Sequence, residues 1–453
     1  MGESDIMSHA ISQERTRNYI SQLKGSAVFK ILAVASSFFS IPLMVRYLGQ
    51  EQFGIWSTLL SVMSWIVFFD LGIGNGLRNK LAESLATNQI AEAANYISSG
   101  YSLIGLVSLL LFIIITISAY FIPWQKVFNT NSVPEIILRH TILATGFFVL
   151  LNFWLSLINQ VLNAVQKTSQ VVLGQFISNA LALIFIYILM KTTDPSLPYL
   201  AIGYGLSLVA ASLILSLIFY KERGELIPRA SLESRHVRPI LSLGVQFFTI
   251  QIAYLVIFMT DKIVITQLFG PQSVTQYDVV YRLFSLITLV HGLINTPLWS
   301  SYTDAYHRED FSWIKGVLHK QFQLFGLIVI AVIVMLLVAK SIIGLWIGHD
   351  FEISTPLVIS MGAFVLVSAW NNIFGSILGG INKIRLGSFY TVVTAFLNIP
   401  LSYFFAIKLG IGIAGIIIGT IVSISISAIV SPLQVYYFIF IKQENKFISG
   451  ILR

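Results

Sequence analysis

The segment LNAVQK (residues 162–167) closes one long apolar run and opens another, and 216 residues later LGGINK (378–383) does the same. The two halves of the chain match outward from this pair. YLGQEQFGIWSTLL, from Tyr47, corresponds to LFGPQSVTQYDVVYRLF, from Leu268, at an offset near 221. KLAESLATNQ, ahead of one apolar run, corresponds to YTDAYHRED ahead of another. In each case a polar residue, Asn88 or Asp310, stands before the next helix, where it can cap free N–H groups. The chain is therefore read as an internal duplication.

The repeated unit is a set of membrane spans. A helix needs about 20 predominantly apolar residues to cross the hydrocarbon core. Stretches 93–125, 141–166, 168–190, 195–220, 239–260, 283–303, 321–339, 353–382, 386–407 and 409–441 contain no Asp, Glu, Lys or Arg. Stretches 31–45 and 52–69 add two more; the first is long enough only if it begins near Gly25 and includes Lys30. The 283–303 span starts near Val274 and so takes in Asp278 and Arg282. The expectation is an all-α polytopic membrane protein of about twelve transmembrane helices, six in each half. Six is even, so the copies share one orientation, the parallel-repeat plan of transporters with a substrate path between the halves. The expected division is a bundle at 1–220, a linker at 221–238 and a second bundle at 239–453, the two bundles pseudo-symmetric around a central cavity.

Composition agrees. Only 11% of the residues are charged and 56% are hydrophobic, against roughly 25% charged in a soluble domain. The deficit runs along the whole chain, which excludes a soluble domain with one anchor. There is no cysteine, which removes disulfides, thiolate metal sites and cysteine nucleophiles. The net charge of +8 lies in single Lys and Arg residues between apolar runs, with no basic stripe among aromatics, so no nucleic acid partner is implied. The first 24 residues carry Glu3, Asp5, Glu14, Arg15, Arg17 and Lys24 and lack the apolar core of a cleavable signal. With the N-terminus inside, alternate loops hold nineteen Lys and Arg on the cytoplasmic side and seven on the other, Lys262 among the seven. Both termini are then cytoplasmic. Five of the nineteen lie in 221–238, which reads as a topogenic hinge.

RYLGQEQFGIWSTLL and FFDLGIGNGLRNKLAE (Phe68–Glu83) resemble the N-terminal signature of polysaccharide repeat-unit flippases of the O-antigen type. DKIVITQLFGPQSVTQYDVVYRL (Asp261–Leu283) and PLWSSYTDAYHRED (Pro297–Asp310) resemble the second half of the same family. The family belongs to the multidrug/oligosaccharidyl-lipid/polysaccharide exporter superfamily. The resemblance covers nearly the whole chain and rests on the arrangement of motifs rather than on any single one. It implies two six-helix bundles around a cavity that opens to one side at a time. The implied substrate is an undecaprenyl-pyrophosphate-linked oligosaccharide, moved from the cytoplasmic to the periplasmic leaflet of the bacterial inner membrane. Other polysaccharide assembly proteins are implied partners, and no cofactor is. The related lipid II flippases usually have fourteen spans and arginines in the first bundle; this chain has twelve expected spans and no arginine deep in its first bundle.

Charged groups inside spans are costly and tend to face a cavity or each other. Lys30 either meets the substrate pyrophosphate or snorkels to the cytoplasmic surface. Arg282 either receives phosphate through its forked guanidinium or is neutralised by Asp278, one helical turn away. Asp70 opens the DLGIGNG turn, where Gly72, Gly74 and Gly76 permit a break or a close backbone approach, and its role is structural or gating. Asp261, in the DKIVITQLF segment, is a further candidate for coupling or gating. His291 is the natural candidate for proton coupling, with an interhelical hydrogen bond as the plainer reading. It lies on the helix face opposite Arg282. Asn159 and Asn371, with Asn163, Asn179, Asn372 and Asn398, either bind sugar hydroxyls or tie helices together.

The physical task implied is to carry a polyanionic head across about 30 Å of hydrocarbon while its lipid tail stays outside. No P-loop is present, so ATP is not the implied energy source. A cation-coupled drug exporter of the same superfamily is the first alternative; it would be expected to hold several acidic residues in the first bundle, where only Asp70 qualifies. A membrane-embedded polymerase or glycosyltransferase is the second. It lacks support because no outer loop exceeds about 20 residues and no carboxylate or metal-ligand cluster is seen.

Overall fold

Gly49 and Gly270 interrupt the helical backbone at corresponding places in the two halves. The computed structural model describes residues 3–70, 72–233, 235–240, 260–295, 298–383 and 385–441, with side chains from residue 25 onward. The chain divides into two compact units, Met1–Gln251 and Ile252–Arg453. Among the described residues every regular element is helical. In the first unit α1 (Glu3–Ser64) breaks at Gly49, which has φ 76° and ψ 169°. In the second, α8 (Asp261–Phe269) stops at Gly270, with φ 83° and ψ 164°. A Cβ at either glycine would meet nothing within 4 Å, so the backbone conformation alone demands the residue.

The first unit continues through α2 (Ile73–Ala86), α3 (Ile90–Phe121), α4 (Glu135–Leu155), α5 (Ile158–Ala164), α6 (Thr168–Thr192) and α7 (Leu197–Glu222). The second continues through α9 (Pro271–Asn295), α10 (Leu298–His307), α11 (Phe311–Trp346), α12 (Thr355–Gly380), α13 (Arg385–Tyr403) and α14 (Ile413–Tyr436). Packing repeats between units. α4 lies against α3 and α7, and α6 against α7; correspondingly α12 lies against α11 and α14, and α13 against α14. Pro432 is accommodated inside α14.

The segments that first revealed the duplication are helix stops. The Lys167 N–H reaches the Leu162 carbonyl at 2.8 Å, and the Lys383 N–H reaches the Leu378 carbonyl at 2.8 Å. Gln166 (φ 60°) and Asn382 (φ 56°) adopt the left-handed conformation that lets the chain turn back. The same six-to-one closure ends α2 and α10, where the Gln89 N–H bonds to Ser84 at 2.9 Å and the Asp310 N–H bonds to Ala305 at 2.8 Å. Asn88 (φ 56°) and Glu309 (φ 57°) are the left-handed residues there. This corrects the reading of Asn88 as a cap. It terminates α2, and its register partner is Glu309. Asp310 does cap α11, accepting the Trp313 N–H at 3.0 Å.

Ten helices among the described residues are long and apolar enough to cross a membrane. One of them, Gly25–Ser64, contains the first two expected spans on either side of Gly49. The seventh expected span, 239–260, lies largely in 241–259, outside the described residues. Residues 261–269 lead into Gly270 as residues 40–48 lead into Gly49, so Asp261 and Lys262 stand on a helix rather than in a loop.

Residues 221–240 are fastened to the first unit. The Arg229 N–H donates to Ser98 Oγ at 3.0 Å and the Ser231 N–H to Ser102 Oγ at 3.1 Å, both on α3. Leu226 is buried in the core with Phe219, and the His236 ring meets Tyr96 edge-on at 5.0 Å. The strap ends against α2, where a Cβ on Gly76 would stand 2.2 Å from the Ile240 carbonyl oxygen.

Candidate functional site

The most concentrated polar chemistry lies inside the second unit, between α8, α9, α13 and α14. Two consecutive residues of α8, Asp261 and Lys262, enter separate but adjacent clusters. Asp261 is 5% exposed, and its Oδ2 accepts the Tyr277 hydroxyl at 3.2 Å. The Thr420 Oγ1 faces Asp261 Oδ1 at 3.4 Å and accepts from Asn398 Nδ2 at 2.9 Å. Asn398 also reaches Ser423 Oγ at 3.4 Å, so a carboxylate on α8 is linked through α14 to an amide on α13. Lys262 donates to Asp278, one residue beyond Tyr277 on α9. Arg282 Nε stands 3.9 Å from the other oxygen of Asp278. The Asp278 side chain is 3% exposed and that of Arg282 is 43% exposed, so the guanidinium is the accessible end of a buried ion cluster.

This cluster joins Asp261, Asp278 and Arg282 from the sequence-derived candidates and adds Lys262, Tyr277 and Thr420. The sequence reads Lys262 as a loop cation. It is a half-buried partner of Asp278 on a helix, and without it the outer side holds six positive charges, so the charge asymmetry stands. The signal for this is the Gly49–Gly270 correspondence, which matches 261–269 to the helical residues 40–48. An ammonium and a carboxylate at this depth persist only by pairing. The cluster can hold a charge in the span, exchange it with an entering ion or proton, or present Arg282 to an anion.

The other candidates occupy separate places. His291 is buried on α9 beside Gln321 of α11, and its Nε2 makes no hydrogen bond among the described residues. One turn further, Asn295 Nδ2 donates to the Asn372 carbonyl at 3.0 Å, and its Oδ1 accepts the Ser376 hydroxyl at 3.2 Å. Asn371 donates to the Ile424 carbonyl at 3.2 Å and ties α12 to α14. In the first unit, Asn179 donates to the Ala33 carbonyl at 2.9 Å and Lys30 Nζ to Gln175 Oε1 at 3.0 Å, both joining α6 to α1. Asn159 and Asn163 lie on the short helix α5, and both are half-buried.

Asp70 ends the 3₁₀ turn Trp65–Asp70 after the second span. Both its oxygens accept the Gly74 N–H, at 2.9 and 3.1 Å, which satisfies a free donor in the first turn of α2. Burial pushes this carboxyl up to about 6, with the Gly74 N–H pulling it partly back. Gly72 supplies the turn itself with φ 74°. The DLGIGNG string is thus a helix entry whose third glycine admits the strap. Among the described residues no group of three or more His, Asp or Glu is arranged to hold a metal ion.

Two helical units built of long apolar spans define a multi-pass membrane protein. Solved structures share the fold. An inward-facing multidrug resistance MATE family transporter of the MOP superfamily superposes with TM-score 0.76 at 16% identity, over 93% of this chain and 99% of that one. A MOP superfamily transporter from Pyrococcus furiosus gives TM-score 0.64 at 16% identity, over 92% and 95%. A family model described as polysaccharide biosynthesis protein matches residues 23–302, and the chain belongs to that family. A MatE model matches residues 248–404. Relatives of nearly equal length include a protein of Salmonella typhimurium named "Putative O-antigen transporter", 22% identical over 88% of this chain and 91% of its own. A "Putative O-antigen export protein" of Yersinia pseudotuberculosis is 21% identical over 88% and 91%.

Proposed function

We propose that the chain is a flippase for lipid-linked oligosaccharide repeat units. On this reading the substrate is an undecaprenyl-pyrophosphate-linked oligosaccharide of an O-antigen-like surface polysaccharide. It moves from the cytoplasmic to the periplasmic leaflet of the inner membrane by alternating access of the halves 1–220 and 239–453, joined by 221–238, with both termini cytoplasmic. The observation that carries it is end-to-end similarity to proteins named for O-antigen transport, within a polysaccharide biosynthesis family. The nineteen-to-six distribution of loop cations supports the orientation.

Arg282 is the residue proposed to receive the pyrophosphate. Its guanidinium is accessible, and the Asp278 carboxylate behind it, 3.9 Å away, is itself held by Lys262. Lys30, half-buried on Gln175, is the corresponding candidate of the first half, with Asn159 and Asn371 as contributors to sugar contacts. Asp261, Asp278, His291 and Asp70 are proposed for coupling or gating. Carrying two negative charges outward down an inside-negative potential releases about 2.3 kcal/mol per charge per 100 mV, which biases transport outward, with proton or sodium antiport as the alternative energy source.

A cation-coupled exporter is the second reading, favoured by the MatE match over 248–404 and by the buried Asp261 within it. One experiment separates them. Deleting the gene in its host and measuring lipid-linked intermediates is expected to show completed repeat units accumulating on the cytoplasmic leaflet, with surface polymer lost. Unchanged polymer together with new sensitivity to cationic drugs supports the exporter instead.

A further inference from the structure

We infer that the far end of α11 carries a saccharide-binding cleft, separate from the ion cluster. α11 is 36 residues long, about 54 Å at 1.5 Å per residue, and so overreaches a hydrocarbon core of about 30 Å. Its uncharged run 321–339 ends at Lys340, and the loop past Trp346 carries His349, Asp350 and Glu352, so this end of the helix meets the water interface. There the loop 347–354 folds back, with the Phe351 N–H bonding to the Gly348 carbonyl at 3.2 Å. The result is a cavity of about 520 Å³ lined by Gln276 of α9, Lys340, His349, Phe351, Glu352 and Ser354, among others.

The lining selects the ligand. Phe351 is buried and supplies an apolar wall, while Gln276, Glu352 and Ser354 offer acceptors beside the donors of Lys340, His349 and Gln276. Lys340 spends one donor on Thr355 Oγ1 at 2.8 Å, which fixes the ammonium at the rim. His349 is fixed as well. Its Nδ1 lies 3.2 Å from where a Cβ on Gly344 would stand, so the bare helix surface makes room for the ring. Hydroxyls that donate and accept at once, on a ring with an apolar face, fit this set. A phosphate does not, because Glu352 would face it. The volume lies in the range of small-ligand sites and takes one or two sugar rings.

This rests on the flippase reading, and it assigns the cleft to sugars of the repeat unit after crossing. The test uses the full chain in lipid nanodiscs. The probe is the water-soluble repeat-unit oligosaccharide, freed of lipid and pyrophosphate by mild acid from the host's lipid-linked intermediates, and the readout is saturation-transfer NMR. The expected result is transfer to sugar protons, weakened at least fivefold in Glu352→Ala and in Gln276→Ala, with inorganic phosphate failing to displace the sugar. Absence of transfer, equal transfer in the variants, or displacement by phosphate overturns the inference. Glu352 is exposed, so its replacement leaves the fold intact, and an unchanged melting temperature checks this. Complementation of the deletion strain by the wild-type chain is scored separately. If it restores polymer while no sugar binds, only the cleft falls; if it fails, the flippase reading falls.

Discussion

Asp278 is the residue on which the ion cluster stands or falls. It accepts from Lys262, lies 3.9 Å from Arg282, and its side chain is 3% exposed. Asp278→Asn removes the carboxylate and leaves an ammonium and a guanidinium facing each other in a span. Removing one partner of a buried pair costs about 3–5 kcal/mol, whereas replacing both by neutral groups of similar volume costs close to nothing. Lys262→Met is the milder single change, because Arg282 remains beside Asp278. The double variant Lys262→Met/Asp278→Asn is expected to recover most of the loss, a coupling of about 3 kcal/mol. At roughly 2–4 °C per kcal/mol for a unit of this size, Asp278→Asn lowers the apparent melting temperature by on the order of 10 °C. The double variant then returns to within a few degrees of wild type. The assay is the loss of the monodisperse size-exclusion peak of detergent-purified protein after heating at one fixed rate. Strictly additive losses in the two single variants would refute the cluster as a coupled unit.

Three further outcomes are expected. Arg282→Ala, which removes an exposed guanidinium, leaves the melting temperature within a few degrees but cuts surface polymer in a complementation assay, and Arg282→Lys restores it only partly because the fork is lost; normal polymer with Arg282→Ala removes Arg282 from the proposed substrate path. The Asp70 carboxyl is raised to about 6 from 3.8, so the folded state binds the extra proton and stability falls as pH rises from about 4 to about 6, then levels; Asp70→Asn keeps an acceptor for the Gly74 N–H and flattens that slope in melts run between pH 4 and 7. Gly76→Val places a side chain where 2.2 Å separates a Cβ from the Ile240 carbonyl, so the strap must lift; protease cleavage within 221–240 is expected to rise several-fold, and an unchanged cleavage rate shows that the strap is held elsewhere.

The sequence by itself determined that the chain is built of long apolar spans, that they come in two like sets, and that LNAVQK and LGGINK each close one span and open the next. These are local properties. Span length follows from consecutive apolar residues, and the stops at LNAVQK and LGGINK follow from a left-handed residue after the last turn, Gln166 in one half and Asn382 in the other. The repeat also holds a fact that the apolar runs alone conceal. Gly49 and Gly270 occupy the same unusual backbone conformation, and the helix that runs into Gly270 carries Asp261 and Lys262. Hydropathy ends the apolar run at Asp261, because a charge reads as a boundary when its partner is not in view. Only the tertiary structure decided what those charges meet. Lys262 and Asp278 are sixteen residues apart on separate helices, and Asp261 depends on Thr420 and Asn398, more than a hundred residues away. Contacts of that range are set by the rotation and depth of one helix against another, and no periodicity along a single helix records them.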